Sequence, residues 1–132
     1  MTRKLPALNV ETQAFWQGGR DSQLLIHHCE KCARYFHPPS PACPACLEDR
    51  VAPKPVSGSG RILSFTINHQ KWRPDLELPY VVAIVELDEQ PGLQFVTNII
   101  NCDPASVAIG KAVSVTFMQQ EDVWIPLFEI TE

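Results

Sequence analysis

The chain has 132 residues, of which 45% are hydrophobic and 20% are charged, a composition typical of folded globular proteins. This length fits one ordinary domain or two small ones. The formal net charge is −4, so the chain lacks the overall basic balance that most nucleic-acid-binding proteins show.

The N-terminal residues include basic side chains but no continuous apolar stretch after them, so they do not resemble a secretory signal. No apolar run approaches the ~18–20 residues that a membrane-spanning helix needs. We therefore expect a cytoplasmic protein, in which cysteines stay reduced.

The segment 9–19 predicts a short amphipathic helix that Asn9 caps and the pair Gly18–Gly19 ends. Phe15 and Trp16 provide its apolar bulk. Since so short a helix is scarcely stable in isolation, it must pack on something. The two aromatic side chains either dock on the body of this chain or form an interface with a partner protein, and the sequence does not choose between these alternatives.

Four of the five cysteines form two C-x-x-C pairs that are separated by ten residues: Cys29, Cys32, Cys43 and Cys46. Two tight turns of this kind supply the four thiolates of a closed tetrahedral zinc site. We therefore predict one Zn²⁺ ion with a structural role. The segment 33–42 between the pairs contains three prolines, which favours a short ribbon with a loop and excludes a helix.

Redox chemistry is the alternative interpretation of a C-x-x-C pair, but such a dithiol normally appears singly, between a strand and a helix. His27, His28 and His37 lie nearby and are alternative metal ligands, although ribbon and loop positions explain them as well. Residues 1–57 contain few large apolar side chains, and small modules of that kind usually need a stabilising cross-link such as a metal ion. A structural zinc supplies about 10–16 kcal/mol of apparent binding energy in finger peptides.

The segment 52–60, rich in proline, glycine and serine, reads as a linker between two modules. We accordingly predict an N-terminal helical segment at residues 1–22, a zinc ribbon at residues 23–57 and a β-domain at residues 58–132.

The chain after Gly60 predicts five strands from its apolar and alternating runs, which cover residues 61–70, 80–89, 93–101, 111–120 and 123–131. Asp103 and Pro104 predict one helical turn between the third and fourth of these strands. This order matches an OB-fold barrel. A two-sheet sandwich is the competing architecture, but five strands are few for it.

The last predicted strand is apolar on both faces, with Trp124 and Phe128 opposite Ile125 and Leu127. Pro126 cannot donate a ladder hydrogen bond, so the strand is expected at an edge or to break there. An apolar edge strand needs a cover. Either the N-terminal helix provides it, or Phe15, Trp16, Trp124 and Phe128 form an interface with a partner protein.

No convincing set of nucleophile and base is visible, so we predict that the chain is not itself an enzyme. The fifth cysteine, Cys102, is read as a small buried side chain, with a catalytic role as the lesser alternative. Asp75 and Glu77 are read as solvated loop carboxylates. If CoA touches this chain, the candidates are Lys71 and Arg73 for its phosphates and Trp72 for its adenine; a solvated loop is the simpler interpretation.

The sequence also resembles a known family. The order of its motifs is "FW" in a helix, C-x-x-C…PP…C-P-x-C, "GRILSFT", "PYVVAIVELDE", "TNII", "CDP", "IGKAVSVTF" and a terminal "PLF". This order, from Phe15 to Phe128, resembles the DUF35 family of acyl-CoA-associated proteins. Two departures from its pattern are visible: Ala33 replaces a common glycine after the first knuckle, and Ser40 replaces a common arginine after "PP".

The resemblance implies a rubredoxin-like zinc ribbon, a C-terminal OB fold and the role of an accessory subunit. The expected partner is a thiolase-superfamily enzyme, or alternatively a MaoC-like enoyl-CoA hydratase, which carries the catalytic residues. Implied settings include thiolase and acetyltransferase complexes, hydroxymethylglutaryl-CoA synthesis and retro-aldol cleavage of steroid side chains. The chain would hold the assembly together and support its acyl-CoA channel. Two copies per symmetric partner dimer are expected.

Two rival functions remain open on the sequence. Zinc ribbons and OB folds both serve in nucleic-acid binding, for which Phe65 and Trp72 would be the stacking platforms. An independent protein that binds or hydrolyses CoA esters is the other rival. It would need a pocket and a base that the sequence does not reveal.

Overall fold

The computed structural model of the chain describes residues 3–72 and 77–131. A short helix, α1, spans Gln13–Gln17 and continues as a 3₁₀ turn over Gly18–Asp21. Eight strands follow, with a second 3₁₀ turn at Pro104–Ser106 between the sixth and seventh. Their bounds are β1 Leu24–Cys29, β2 Arg34–Phe36, β3 Val51–Val56, β4 Ser59–Asn68, β5 Tyr80–Leu87, β6 Gln94–Ile99, β7 Ala112–Gln120 and β8 Val123–Ile130.

The strands form two separate sheets. The first is a three-stranded antiparallel sheet in the order β2-β1-β3, and the second is a closed barrel in the order β4-β5-β6-β8-β7. All barrel neighbours are antiparallel except β6 and β8, which are parallel and share one paired position, Ile99 with Phe128. The predicted five-stranded OB-fold barrel is confirmed.

The predicted linker at residues 52–60 is wrong for most of its length. Residues 51–56 form β3, which pairs with β1 from Leu24 opposite Val56 to Cys29 opposite Val51. Pro53 and Pro55 are compatible with a strand because β3 lies at the edge of its sheet, where the outer ladder needs no N–H donor. Only residues 57 and 58 connect the sheets.

The last strand does not break at Pro126. It pairs with β7 along its whole length, and Pro126 lies opposite Phe117. The Pro126 carbonyl accepts a hydrogen bond from the Thr97 hydroxyl of β6 at 3.1 Å. The edge of β8 that lacks the proline N–H therefore faces the seam between β6 and β8, where the two strands share one paired position only.

Two of the four aromatic residues proposed for a partner interface are core residues. Phe128 is 0% exposed and packs on Phe95 with ring centroids 5.5 Å apart, and Phe15 is 6% exposed. The interface prediction is therefore wrong for both, because Phe128 is buried inside the barrel and Phe15 is buried where the helix packs on it. Trp16 and Trp124 remain half-buried.

Helix α1 covers β8, which was the simpler alternative for this strand. The Gln17 side chain donates to the Asp122 carbonyl at 3.2 Å. Gly19 allows the close approach, since a Cβ atom there would lie 2.5 Å from Trp124 Cβ. Asn9 caps the preceding turn by accepting from the Thr12 N–H at 2.9 Å. The glycine pair, however, does not end the helical path, which continues as the 3₁₀ turn.

The side chain of Gln90 joins the barrel to the ribbon sheet by two hydrogen bonds to the backbone of Tyr35. Gln90, in the turn between β5 and β6, accepts from the Tyr35 N–H and donates to the Tyr35 carbonyl, both at 2.9 Å. The connector adds a second link, in which Ser57 N–H donates to Glu89 at 2.6 Å. Gly58 (φ +80°) turns the chain against Val115, where a side chain would not fit.

His37 lies at the junction of helix, ribbon and barrel. Its ring is 4.7 Å from that of Phe15 and 5.5 Å from that of Phe95, measured between centroids. Its Nδ1 atom is buried and has no hydrogen-bond partner. Burial lowers the pKa of His37 below its usual 6.5, and nearby His27 lowers it further.

No helix in the described part of the chain is long and apolar enough to cross a membrane.

Replacing Gln90 with alanine tests the link between ribbon and barrel. Gln90→Ala removes two backbone-directed hydrogen bonds, so we expect a loss of about 1–3 kcal/mol in the free energy of unfolding. Denaturant unfolding measures it. Gln23→Ala is the matched control, because that exposed side chain makes no hydrogen bond within residues 3–72 and 77–131. Equal stability of the two variants would contradict the link.

Stability should fall on acidification because of His37. Below pH ~6.5 the unfolded chain binds a proton at this residue that the folded chain binds less readily, so the free energy of unfolding decreases as the pH falls. His37→Phe keeps the ring packing and should flatten the curve between pH ~7.5 and ~5.5. His69→Phe, at an exposed histidine, is the control. Identical slopes for wild type and His37→Phe would refute the prediction.

Candidate metal centre and adjoining clefts

The four cysteines of the two C-x-x-C pairs converge on one point. Their sulfur atoms all lie within 4.8 Å of one another. The shortest separations are 3.6 Å, for Cys29 with Cys46 and for Cys32 with Cys43. Tetrahedral zinc with Zn–S bonds of about 2.3 Å places sulfurs about 3.8 Å apart, so the arrangement fits one four-coordinate ion.

Each pair is shaped by a residue in the left-handed region directly after its second cysteine. Ala33 has φ 55° and Leu47 has φ 64°. In the second knuckle the Leu47 N–H donates to the Cys43 carbonyl at 2.8 Å, and the Cys43 N–H donates to the Glu48 carbonyl at 2.9 Å. The positive φ of Ala33 explains why glycine is common at this position in the family that the sequence resembles, because this backbone conformation favours a residue without a Cβ atom.

The electrostatics of the cluster favour a bound cation. The backbone N–H of Cys46, together with that of Ala45, lowers the pKa of the Cys43 thiol to about 7. Burial and then hydrogen bonding with neighbouring thiols raise the pKa of Cys32 to about 12. Four thiolates cannot share this space on their own, whereas a divalent ion would stabilise all four.

The nearby histidines have other environments. The His27 ring packs on Phe36 at 5.7 Å and the His28 ring on Tyr35 at 4.8 Å, both measured between centroids. His37 lies between Phe15 and Phe95. Among the residues that the structure describes, the four cysteines alone form a group of three or more candidate metal ligands.

Two of the three candidate CoA contacts, Lys71 and Trp72, lie outside the two clefts described below. Both lie in the loop after β4, and Trp72 is 72% exposed. Arg73 and Asp75 lie outside the described residues. Glu77 is exposed and lines the larger of the two clefts.

Two adjoining clefts lie along the seam between β6 and β8, and sequence patterns did not reveal them. The larger has a volume of about 710 Å³ and the smaller about 570 Å³. They share five lining residues, namely Arg3, Trp16, Asn98, Ile125 and Leu127. No local motif announces such a site, because its walls come from distant parts of the chain.

The N-terminal segment crosses the barrel at these clefts and is held by Arg3. The Arg3 guanidinium donates to Asn98 of β6 at 2.7 Å. Its backbone N–H and carbonyl pair with the Gln120 side chain of β7 at 3.0 and 2.7 Å. Cys102, the cysteine outside the metal cluster, is half-buried and lines the larger cleft.

Comparison with known families accounts for most of the chain. Residues 16–52 match the family of the ChsH2 rubredoxin-like zinc ribbon domain, and residues 53–118 match that of the ChsH2 C-terminal OB-fold domain. A DUF35 domain-containing scaffold protein of Methanothermobacter thermautotrophicus is 36% identical over 91 residues, which are 67% of each chain.

Longer relatives and a solved structure show the same similarity. A probable enoyl-CoA hydratase alpha subunit of Thermomonospora curvata is 32% identical over 127 residues, which are 96% of this chain but 39% of that protein. The solved structure of an Ltp2-ChsH2(DUF35) aldolase contains a chain that superposes with a TM-score of 0.86 at 30% identity. The match covers 97% of this chain and 100% of that one.

The predicted family resemblance is therefore confirmed by sequence and by structure. With a rubredoxin-like ribbon, a five-stranded OB barrel and matches that cover nearly its whole length, the chain belongs to the DUF35 family, to which the ChsH2 domains belong.

Proposed function

We propose that this chain is a non-catalytic accessory subunit that scaffolds an acyl-CoA-processing enzyme complex. The observation that carries the proposal is the match to the entire DUF35 chain of the aldolase structure. Two relatives, from Methanothermobacter thermautotrophicus and Methanocaldococcus jannaschii, are named DUF35 domain-containing scaffold proteins. The proposed site of action is the cytoplasm, where the thiols stay reduced.

The proposed partner is a thiolase-superfamily enzyme that carries the catalytic residues. The name of the solved Ltp2-ChsH2(DUF35) aldolase joins a DUF35 chain to Ltp2, which supports association with a separate enzyme chain. A MaoC-like enoyl-CoA hydratase is the second candidate, since two relatives are named hydratase alpha subunits. The chain spans 39% and 37% of those relatives, so the named activity can belong to their remaining part.

We further propose that the cysteine cluster holds one zinc ion with a structural role. Four thiolates from Cys29, Cys32, Cys43 and Cys46 would fill a tetrahedral shell and leave no open position for a substrate or a water molecule. The ion would tie the turn after β1 to the loop before β3. The ribbon would then be held by metal bonds where its apolar core is small.

Metal removal tests the structural role. Cys43→Ser should lower the zinc content from one ion per chain to a small fraction and unfold the ribbon, because finger-type sites supply about 10–16 kcal/mol of apparent binding energy. Atomic absorption measures the metal, and amide exchange of β1–β3 measures the ribbon. Cys102→Ser is the control and should retain both. Full metal content in Cys43→Ser would contradict the assignment.

Capture from cell extract tests the accessory role. The tagged, metal-loaded chain should recover a thiolase-like or hydratase-like protein in stoichiometric amount, identified by mass spectrometry. Trp124→Ala should weaken the capture severalfold, because Trp124 is half-buried beside Gly19 of the 3₁₀ turn and belongs to the predicted interface. Trp72→Ala, which removes an equally large side chain from an exposed loop outside the predicted interface, should not.

Two other results would overturn the accessory role. Salt-sensitive recovery of nucleic acid would favour the OB-fold nucleic-acid module, against which the net charge of −4 argues. Turnover of a CoA ester by the isolated chain would favour an independent enzyme. In that case Lys71, Trp72 and Arg73 would be the first residues to test for CoA contact.

A further inference from the structure

The smaller cleft combines an apolar wall with buried nitrogen atoms that have no partner. Its aromatic wall consists of Phe15, Trp16 and Phe95, and Pro38 and Pro39 close one side. Its volume of about 570 Å³ falls within the range of roughly 300–1,000 Å³ that holds small molecules in proteins. The cleft is therefore of a size and character that suit an apolar ligand.

The polar groups of this cleft include two nitrogen donors. Arg3 and His37 both line it, and both Arg3 Nε and His37 Nδ1 are buried without a hydrogen-bond partner. A buried polar atom that lacks a partner leaves its desolvation cost uncompensated. Each of these nitrogens is closed to water, so binding requires a side-chain rotation that turns it toward the ligand.

The charge of the cleft is opposite to that of the chain. The formal net charge is −4, yet the described lining of the smaller cleft includes an arginine and no aspartate or glutamate. Arginine offers a planar set of donors that matches a carboxylate, and the neutral histidine donates from Nδ1 in one of its tautomers. These groups together fit a ligand with one carboxylate and an apolar body.

We propose that the smaller cleft is a binding site for a small carboxylic acid whose apolar body lies along the wall formed by Phe15, Trp16 and Phe95 and whose carboxylate meets Arg3 and His37. The site lies within a single chain, at the junction of the N-terminal segment, the ribbon loop and the seam of the barrel. It goes beyond the proposed scaffold function, which needs no ligand in this chain.

The experiment titrates the metal-loaded full chain with octanoate and with 1-octanol, which has the same number of carbons and no charge. Calorimetry should show saturable octanoate binding that is at least about tenfold tighter than octanol binding. Arg3→Met should weaken octanoate binding about tenfold and leave octanol binding unchanged. Lys54→Met removes a cation from β3, outside both clefts, and should change neither.

The location is read from side-chain methyl resonances in the same titration. Val96 lines only the smaller cleft and Met118 lines only the larger. Shifts at Val96 without shifts at Met118 support the proposal. Equal affinities for octanoate and octanol, no saturable binding, or shifts confined to Met118 would overturn it. Because these measurements use the isolated chain, their failure leaves partner capture, and with it the scaffold function, standing.

Discussion

The convergence of four thiols is the constraint on which the ribbon depends. Leu24 and Ile26 of β1 are buried in the main core, but apolar support is sparse at the cysteine end of the sheet, where Phe36 is buried beside Cys29 and Cys43 and Val51 packs at the margin. Two prolines in β3 leave its outer edge without full pairing capacity. The cysteine end of this sheet has little apolar packing to hold it, and a tetrahedral metal ion on the four thiols would supply a cross-link between its two turns.

The converging cysteines also constrain a region well beyond themselves. The loop at residues 37–39 lies between the second and third cysteine, so the geometry of the four-cysteine site limits the path that this loop can take. In the folded chain His37 reaches Phe15 of the helix and Phe95 of the barrel. Gln90 adds a second link through the backbone of Tyr35, two residues before His37. The ribbon and the barrel are therefore joined by two specific sets of contacts.

This organisation is consistent with a protein that positions other molecules. A metal site closed by four thiolates offers structure without an open coordination position. The large clefts lie instead along the seam of the barrel, where β6 and β8 share one paired position and where the N-terminal segment supplies part of the wall. The walls of both clefts are thus formed by several segments of the chain. Each cleft depends on these segments being held in place together.

The sequence by itself determined the features that are local or periodic. The spacing of the cysteines identified the candidate metal ligands, because each C-x-x-C pair specifies a tight turn within a few residues. Alternation of apolar side chains located the five barrel strands, and Asp103 with Pro104 marked the turn between two of them. The order of these motifs along the chain was sufficient to identify the DUF35 family before any contact was known.

Only the tertiary structure decided which surfaces are covered. Phe15 and Phe128 looked available for a partner, but strand register and helix packing bury both. The proline-rich segment at 52–56 looked like a linker, but the neighbouring β1 makes it an edge strand. The two clefts and the unpartnered nitrogens of Arg3 and His37 arise from residues far apart in the chain. Burial and register are properties of long-range pairing, and no local pattern encodes them.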